Sequence, residues 1–161
     1  KNNLILSIRY PKQTTDFDID YKPEDLKIGS WKLLNKGESI CILTFGSMIE
    51  DCIKVVDYQQ NKYNRNITLV NCRFIKPLDC NLLENLVLKH DLFVVVEEGI
   101  ISGGFGSSIL EYFSLNSINR KVKIIGINDE FSTQGSRKEL LELAGLSFES
   151  INTFISKEYN E

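Results

Sequence analysis

The chain has 161 residues, 42% of them hydrophobic and 25% charged, with a formal net charge of −3. That length fits one domain with its own core, and the composition is that of an ordinary globular protein. The charge excludes an overall basic field for nucleic acid or an anionic membrane surface, no apolar run is long enough to span a bilayer, and none reads as a signal peptide.

Residues 1–11 hold a strand-like run, Leu4 to Arg9, that ends in Arg9-Tyr10-Pro11. A chain that starts at Lys1, without an initiator Met and this close to a strand, is expected to be cut from a longer protein. Residues 12–27 are polar, carry Asp16, Asp18, Asp20 and Pro23, and lack periodicity, so they read as a linker. Residues 28–161 are expected to form the domain proper. Its first extended runs, Ile28 to Leu34 and Ser39 to Phe45, flank Asn35-Lys36-Gly37, which is the pattern of a hairpin. Met48, Ile49, Cys52, Ile53, Val55 and Val56 then fall at helical spacing.

The alternation continues. Ile67 to Asn71 reads as a short strand, and Asp79 as the N-cap of a helix over residues 80–89 with Leu82, Leu83, Leu86 and Val87 on one face. Leu92 to Glu97 is a buried strand. Gly103 to Phe113 turns through glycines into a helix, and Val122 to Ile127 is the next strand. Residues 136–143 and 148–159 close the chain as two helices. Strands alternating with helices of about ten residues predict an α/β fold of three layers, α/β/α. Its sheet is expected to be mostly parallel, with one antiparallel edge strand from the hairpin.

In open α/β sheets, ligands gather beyond the carboxyl ends of the strands. Arg73 stands there and can present a planar fork to a carboxylate or phosphate. On the residues alone, an ion pair between Arg73 and Glu97 or Glu98 is the favoured reading. Glu97 and Glu98 are neighbours on a strand and point to opposite faces, so they cannot share a proton as a dyad. Gly103, Gly104 and Gly106 resemble part of a dinucleotide loop, but the third glycine of G-x-G-x-x-G would fall at Ile109. They read better as close packing of a helix on the sheet. His90 reads as a structural residue beyond a helix end. Cys41, Cys52, Cys72 and Cys80 lack C-x-x-C spacing and read as buried reduced thiols rather than metal ligands. The residues form no complete catalytic set and no metal site.

The order of short motifs adds a resemblance. Arg9-Tyr10-Pro11-Lys12, Ile28-Gly29, Ile42 to Met48, Asn71 to Asp79, Val96 to Ser107, Gly126 to Asp129 and Gln134 to Leu141 follow one another in this chain. They resemble, in order, R-Y-P-R, I-G, A-I-L-A-F-G-S-M, N-A-R-F-V-K-P-L-D, V-E-E-G-V-I-A-G-G-F-G-S, G-I-P-D and H-G-S-R-E-E-L-L of the 1-deoxy-D-xylulose-5-phosphate synthases. Departures are Lys12 for Arg, Gln13 for Gly and Asn128 for Pro, and residues 12–27 match poorly. Because Lys12 lacks the bidentate fork, no ligand role is carried to it.

The resemblance implies a transketolase C-terminal-like domain over 28–161, with residues 1–11 ending the preceding pyrimidine-binding domain. It implies a transferase of isoprenoid and thiamine biosynthesis that joins pyruvate, with loss of CO2, to D-glyceraldehyde 3-phosphate. The cofactors implied are thiamine diphosphate and Mg2+, both held by missing upstream domains, so this segment alone is expected to be inactive and to bind neither. Arg9 and Arg73 are the residues it assigns to the aldehyde phosphate. It further implies a homodimer, in a bacterial cytoplasm or the stroma of a plastid-type organelle. The alternative is the C-terminal domain of a transketolase or a 2-oxo-acid dehydrogenase β subunit, acting as a partner-docking module with an exposed apolar patch away from Arg73.

Overall fold

The computed structural model describes residues 26–159. The strand expected over Leu4 to Arg9, Arg9 itself and most of the 12–27 linker lie outside the described residues. The elements are β1 (Lys32–Asn35), β2 (Ser39–Thr44), α1 (Met48–Tyr63), β3 (Thr68–Asn71), α2 (Cys80–Val87), β4 (His90–Ile100), α3 (Phe105–Leu115), β5 (Lys121–Ile127), α4 (Arg137–Leu143) and α5 (Phe148–Glu158).

The strands form one sheet in the order β1-β3-β2-β4-β5. β3, β2, β4 and β5 run parallel, and β1 pairs antiparallel with β3 at the edge. The pleat sends alternate side chains to opposite faces. Ile40, Ile42, Leu69, Leu92, Val94 and Val96 meet α1, α4 and α5 on one face. Cys41, Leu43, Val70, Phe93 and Val95 meet α2 and α3 on the other. This is the expected three-layer α/β/α architecture. The central strands carry unbroken apolar runs, Ile40 to Leu43 and Leu92 to Val96, because both faces are covered.

Helices α1, α2, α4 and α5 are bounded by local chemistry. The Asp79 carboxylate accepts a hydrogen bond from the Leu82 amide and caps α2. Ser136 and Glu139 form a capping box at α4, and the Ser147 hydroxyl caps α5. Asn64, in the left-handed region at φ 53°, closes α1. Inside the layer, the fully buried Gln59 of α1 donates to Asn152 Oδ1 and Ser156 Oγ of α5. That polar tie helps to fix the register of two helices whose apolar residues share one core.

The expected hairpin does not form. β1 and β2 are not neighbours, because β3 lies between them. The connection over residues 36–38 crosses the amino end of β3. Gly37 N donates to Thr68 Oγ1 and Glu38 N to the Asn66 carbonyl. The reason is the burial of β2. Both its edges are taken by parallel partners, and the short connection over residues 36–38 reaches the open outer edge of β3. The antiparallel edge strand expected from sequence is therefore present, on a different partner.

Two other boundaries shift. β4 runs on to Ile100, which pairs with Ile127 past an irregularity after Val96. α2 stops at Val87, and His90 opens β4.

The crossing depends on Gly37, because a Cβ there would collide with the backbone of Asn66 and Ile67. Gly37→Ala should destabilise the fold by roughly 1–3 kcal/mol, read as a lowered denaturant midpoint at constant slope. An unchanged midpoint would mean that the crossing is looser than described.

Candidate functional site

The chain leaves β2 towards β3, then crosses back to place β4 on the other side of β2. The helices following β2 and β4 lie on opposite faces, since α1 belongs to one core and α3 to the other. The carboxyl ends of β2 and β4 are thus the topological switch point, the place where such sheets open a crevice. Below it the strands are tied by Thr44 Oγ1, which donates to the Val96 carbonyl at 2.8 Å.

Glu97 and Glu98 diverge at this crevice, as their positions on one strand require. The Glu97 carboxylate is buried and accepts hydrogen bonds from Phe105 N at 2.7 Å and Gly106 N at 3.0 Å. α3 has no capping side chain of its own, because its N-cap is Gly104. Glu97 supplies the cap from the sheet, and its charge meets the positive end of the helix. The amides that a dinucleotide loop would turn to a diphosphate are therefore occupied. Gly106 serves the close packing read from sequence, since a Cβ there would lie 2.6 Å from Ile124 Cδ1 on β5.

Glu98 turns outward. It accepts two hydrogen bonds from Arg137, one of them Nε to Oε1 at 3.0 Å, and another from the Ser47 hydroxyl at the start of α1. Arg137 is the first residue of α4, where the helix dipole disfavours a cation. The bidentate pair with Glu98 offsets that placement. Partial burial favours the protonated Glu98 carboxyl, but the Arg137 and Ser47 hydrogen bonds outweigh it and hold the group below the usual carboxylate range. Together these three side chains bridge the crevice. Beside them, Ile127, Phe131, Leu140 and Ala144 line a groove of about 510 Å³. Phe131 at its rim is wholly exposed, and Leu143 is 75% exposed.

Arg73 stands beyond β3. The pairing with Glu97 or Glu98 favoured on the residues alone is not what holds those carboxylates: the α3 amides and Arg137 are. Arg73 Nη2 donates to Ser30 Oγ at 3.1 Å, and Nε makes a longer contact of 3.4 Å to the Ser30 carbonyl. The segment carrying Ser30 is fixed in turn. Trp31 N donates to Asp79 Oδ2 at 2.8 Å, and Trp31 Nε1 to the Phe74 carbonyl. Asp79 thus caps α2 and anchors Trp31 with its two oxygens. Arg9, the other residue assigned to phosphate, lies outside the described residues.

His90 is buried between Leu86 O, 2.9 Å from Nδ1, and Thr68 Oγ1, 2.8 Å from Nε2. Both ring nitrogens have partners within the core, in keeping with a structural role. Cys41, Cys52 and Cys72 are buried free thiols, and burial pushes all three up, which makes them inert. Cys80 departs from expectation. As the first residue of α2 it is exposed.

Residues 29–151 match the family model described as transketolase, C-terminal domain. The chain belongs to that family. Among the transketolase C-terminal domain's curated relatives, three proteins named 1-deoxy-D-xylulose-5-phosphate synthase are especially similar. The protein from Psychromonas ingrahamii is 37% identical over 96% of this chain and 24% of its own length. That from Shouchella clausii is 38% identical over 94% and 24%. That from Clostridium botulinum is 36% identical over 99% and 26%. The chain thus spans about a quarter of the curated relatives it matches. A split-gene transketolase, described as an inactive beta4 tetramer, superposes with a TM-score of 0.75 at 24% identity, over 82% of this chain and 43% of that one. Transketolase from Campylobacter jejuni gives 0.58 at 19%, over 80% and 18%. The fold and the resemblance read from sequence are both borne out.

Ser30, Ser47 and Arg137 were not singled out in the sequence. For Arg137 a signal existed, since a cation in the first turn of a helix needs a carboxylate nearby. Ser30 offered none.

Two outcomes follow. Glu97→Ala should cost roughly 1–3 kcal/mol, measured as a denaturant midpoint, because it leaves two buried amides without acceptors. For Glu98, the folded pKa lies below the ordinary value of 4.5, so the unfolded chain binds the extra proton first. Its contribution to stability is present above that value and is lost as pH falls through the folded pKa. Glu98→Gln should flatten the acid limb of the stability profile, and an unchanged limb would show that the pair contributes nothing.

Proposed function

We propose that the chain is the C-terminal part of a 1-deoxy-D-xylulose-5-phosphate synthase, a thiamine-diphosphate-dependent transferase. The full protein would condense pyruvate, with loss of CO2, and D-glyceraldehyde 3-phosphate. The observation that carries this reading is that relatives bearing the synthase name share 36–38% identity with this chain over 94–99% of its length. The domain division goes with it: 1–11 ends the preceding domain, 12–27 links, and 28–161 is the C-terminal domain.

Thiamine diphosphate and its magnesium do not fit the described residues. No group of three or more His, Cys, Asp or Glu there could hold a metal ion, and the α3 amides are occupied by Glu97. We assign both to upstream domains of the same chain, which leaves this segment without activity by itself. When bound, the cofactor supplies carbanion stabilisation.

The role left to this domain is to hold the aldehyde's phosphate and support a homodimer. Arg73 at the carboxyl end of β3, with Arg9 from the preceding domain, would hold the phosphate. A dianion needs several charge-assisted donors, and two guanidinium forks supply them. A bacterial cytoplasm agrees with the sources of the named relatives; a plastid-type stroma is the other compartment proposed. Among the described residues, no helix is long and apolar enough to cross a membrane.

A second reading, a partner-docking module, is favoured by exposed Phe131 and Leu143 beyond β5, three strands from Arg73. Kinetics on the full-length chain separate the two. Arg73→Ala should raise KM for D-glyceraldehyde 3-phosphate by roughly ten- to a hundredfold, the loss of one hydrogen bond to a charged group, and leave KM for pyruvate nearly constant. Equal effects on both substrates would sink the phosphate assignment.

A further inference from the structure

We propose that Ser30 is a positioning residue for Arg73, aiming its guanidinium for phosphate; this rests on the phosphate role proposed above for Arg73. Ser30 touches Arg73 twice, through its hydroxyl at 3.1 Å and its carbonyl at 3.4 Å. The hydroxyl has one proton, and it is committed, because Ser30 Oγ donates to the Lys27 carbonyl at 2.6 Å. What Ser30 presents to Arg73 is therefore a lone pair. A hydroxyl fixed in this way cannot donate to a phosphate, but it can accept from the guanidinium and set its plane.

Ser30 is itself immobilised from both sides. Its amide closes a turn onto the Lys27 carbonyl at 3.1 Å, with Gly29 at φ +78° in the third position. That turn packs on the loop before α2, since a Cβ at Gly29 would lie 3.0 Å from Pro77 Cγ. On the other side, Trp31 is held by Asp79 and Phe74. An acceptor pinned between two such anchors orients a long, rotamer-rich side chain before ligand arrives. Pre-orientation favours binding because less freedom is lost when the ligand docks.

The arrangement has a chemical consequence. Ser30 acts only through Arg73, so its contribution should appear in the affinity for the phosphorylated aldehyde and vanish when Arg73 is gone.

A double-mutant cycle in the full-length chain tests this. Ser30→Ala should raise KM for D-glyceraldehyde 3-phosphate by about five- to tenfold, less than Arg73→Ala because the guanidinium stays and loses only its orientation, with kcat and KM for pyruvate near those of the parent. Ser30→Thr, which keeps the hydroxyl, should restore most of the affinity. Ser30→Ala combined with Arg73→Ala should be no worse than Arg73→Ala alone. If Arg73→Ala is selective for the phosphorylated substrate but Ser30→Ala is silent, or the two effects multiply, the positioning role is wrong and the phosphate reading survives. If Arg73→Ala has no selective effect, the phosphate reading fails and the positioning role with it. A Ser30→Ala chain that loses kcat and thermal stability together, without a change in KM, would mark Ser30 as a turn residue only.

Discussion

A buried carboxylate at the switch point of the sheet organises everything around it. Glu97 carries its carboxylate into the interior, where among the described residues two amides at the start of α3 donate to it. An ionised group without partners could not be kept there. The position of α3 is thereby tied to the last inward residue of β4, and α3 in turn presses Gly106 against β5. A single acceptor aligns a central strand, an edge strand and a helix. It also takes up the first amides of α3, which are then not offered to an anion.

The carboxyl edge then divides into two territories. Over β2 and β4, Arg137 neutralises Glu98, the Ser47 hydroxyl donates to the same carboxylate, and the three close the crevice from above. Beyond β3, Arg73 leans on a serine whose hydroxyl is already spent on a carbonyl. The first territory is self-satisfied and structural in character. The second gathers a cation at a strand end and a neighbour held in place by its own turn.

Most of the fold was legible because the sheet is buried on both faces. Residues such as Leu92 to Val96 are apolar throughout, and the intervening helices carry clean apolar faces. The cap at Asp79 announced its helix. The hairpin reading failed for a physical reason: a turn motif reports local geometry, whereas the partner of β1 is decided by which ladder remains open after β3, β2 and β4 have paired. For the site, Arg73 was visible as a cation at a strand end. Its neighbour Ser30 was not, since the contact spans 43 residues and a serine before a tryptophan has no signature of its own. The partition of Glu97 and Glu98 between amides and Arg137 likewise needed the third dimension, although their opposite orientations followed from the pleat.

The crossing of residues 36–38 beneath β3 has a consequence for the order of events in biosynthesis. Among the described strands a ribosome delivers β1 first, yet its ladder partner emerges only with Thr68 to Asn71. β2 comes second, but it cannot be enclosed until β4 has followed β3. The two earliest strands must therefore wait, while the chain between them and their partners is still being made. Non-local pairing of this kind is slow and leaves apolar strands such as Ile40 to Leu43 uncovered in the interval. That interval ends only when β4 has been made and can take the second edge of β2.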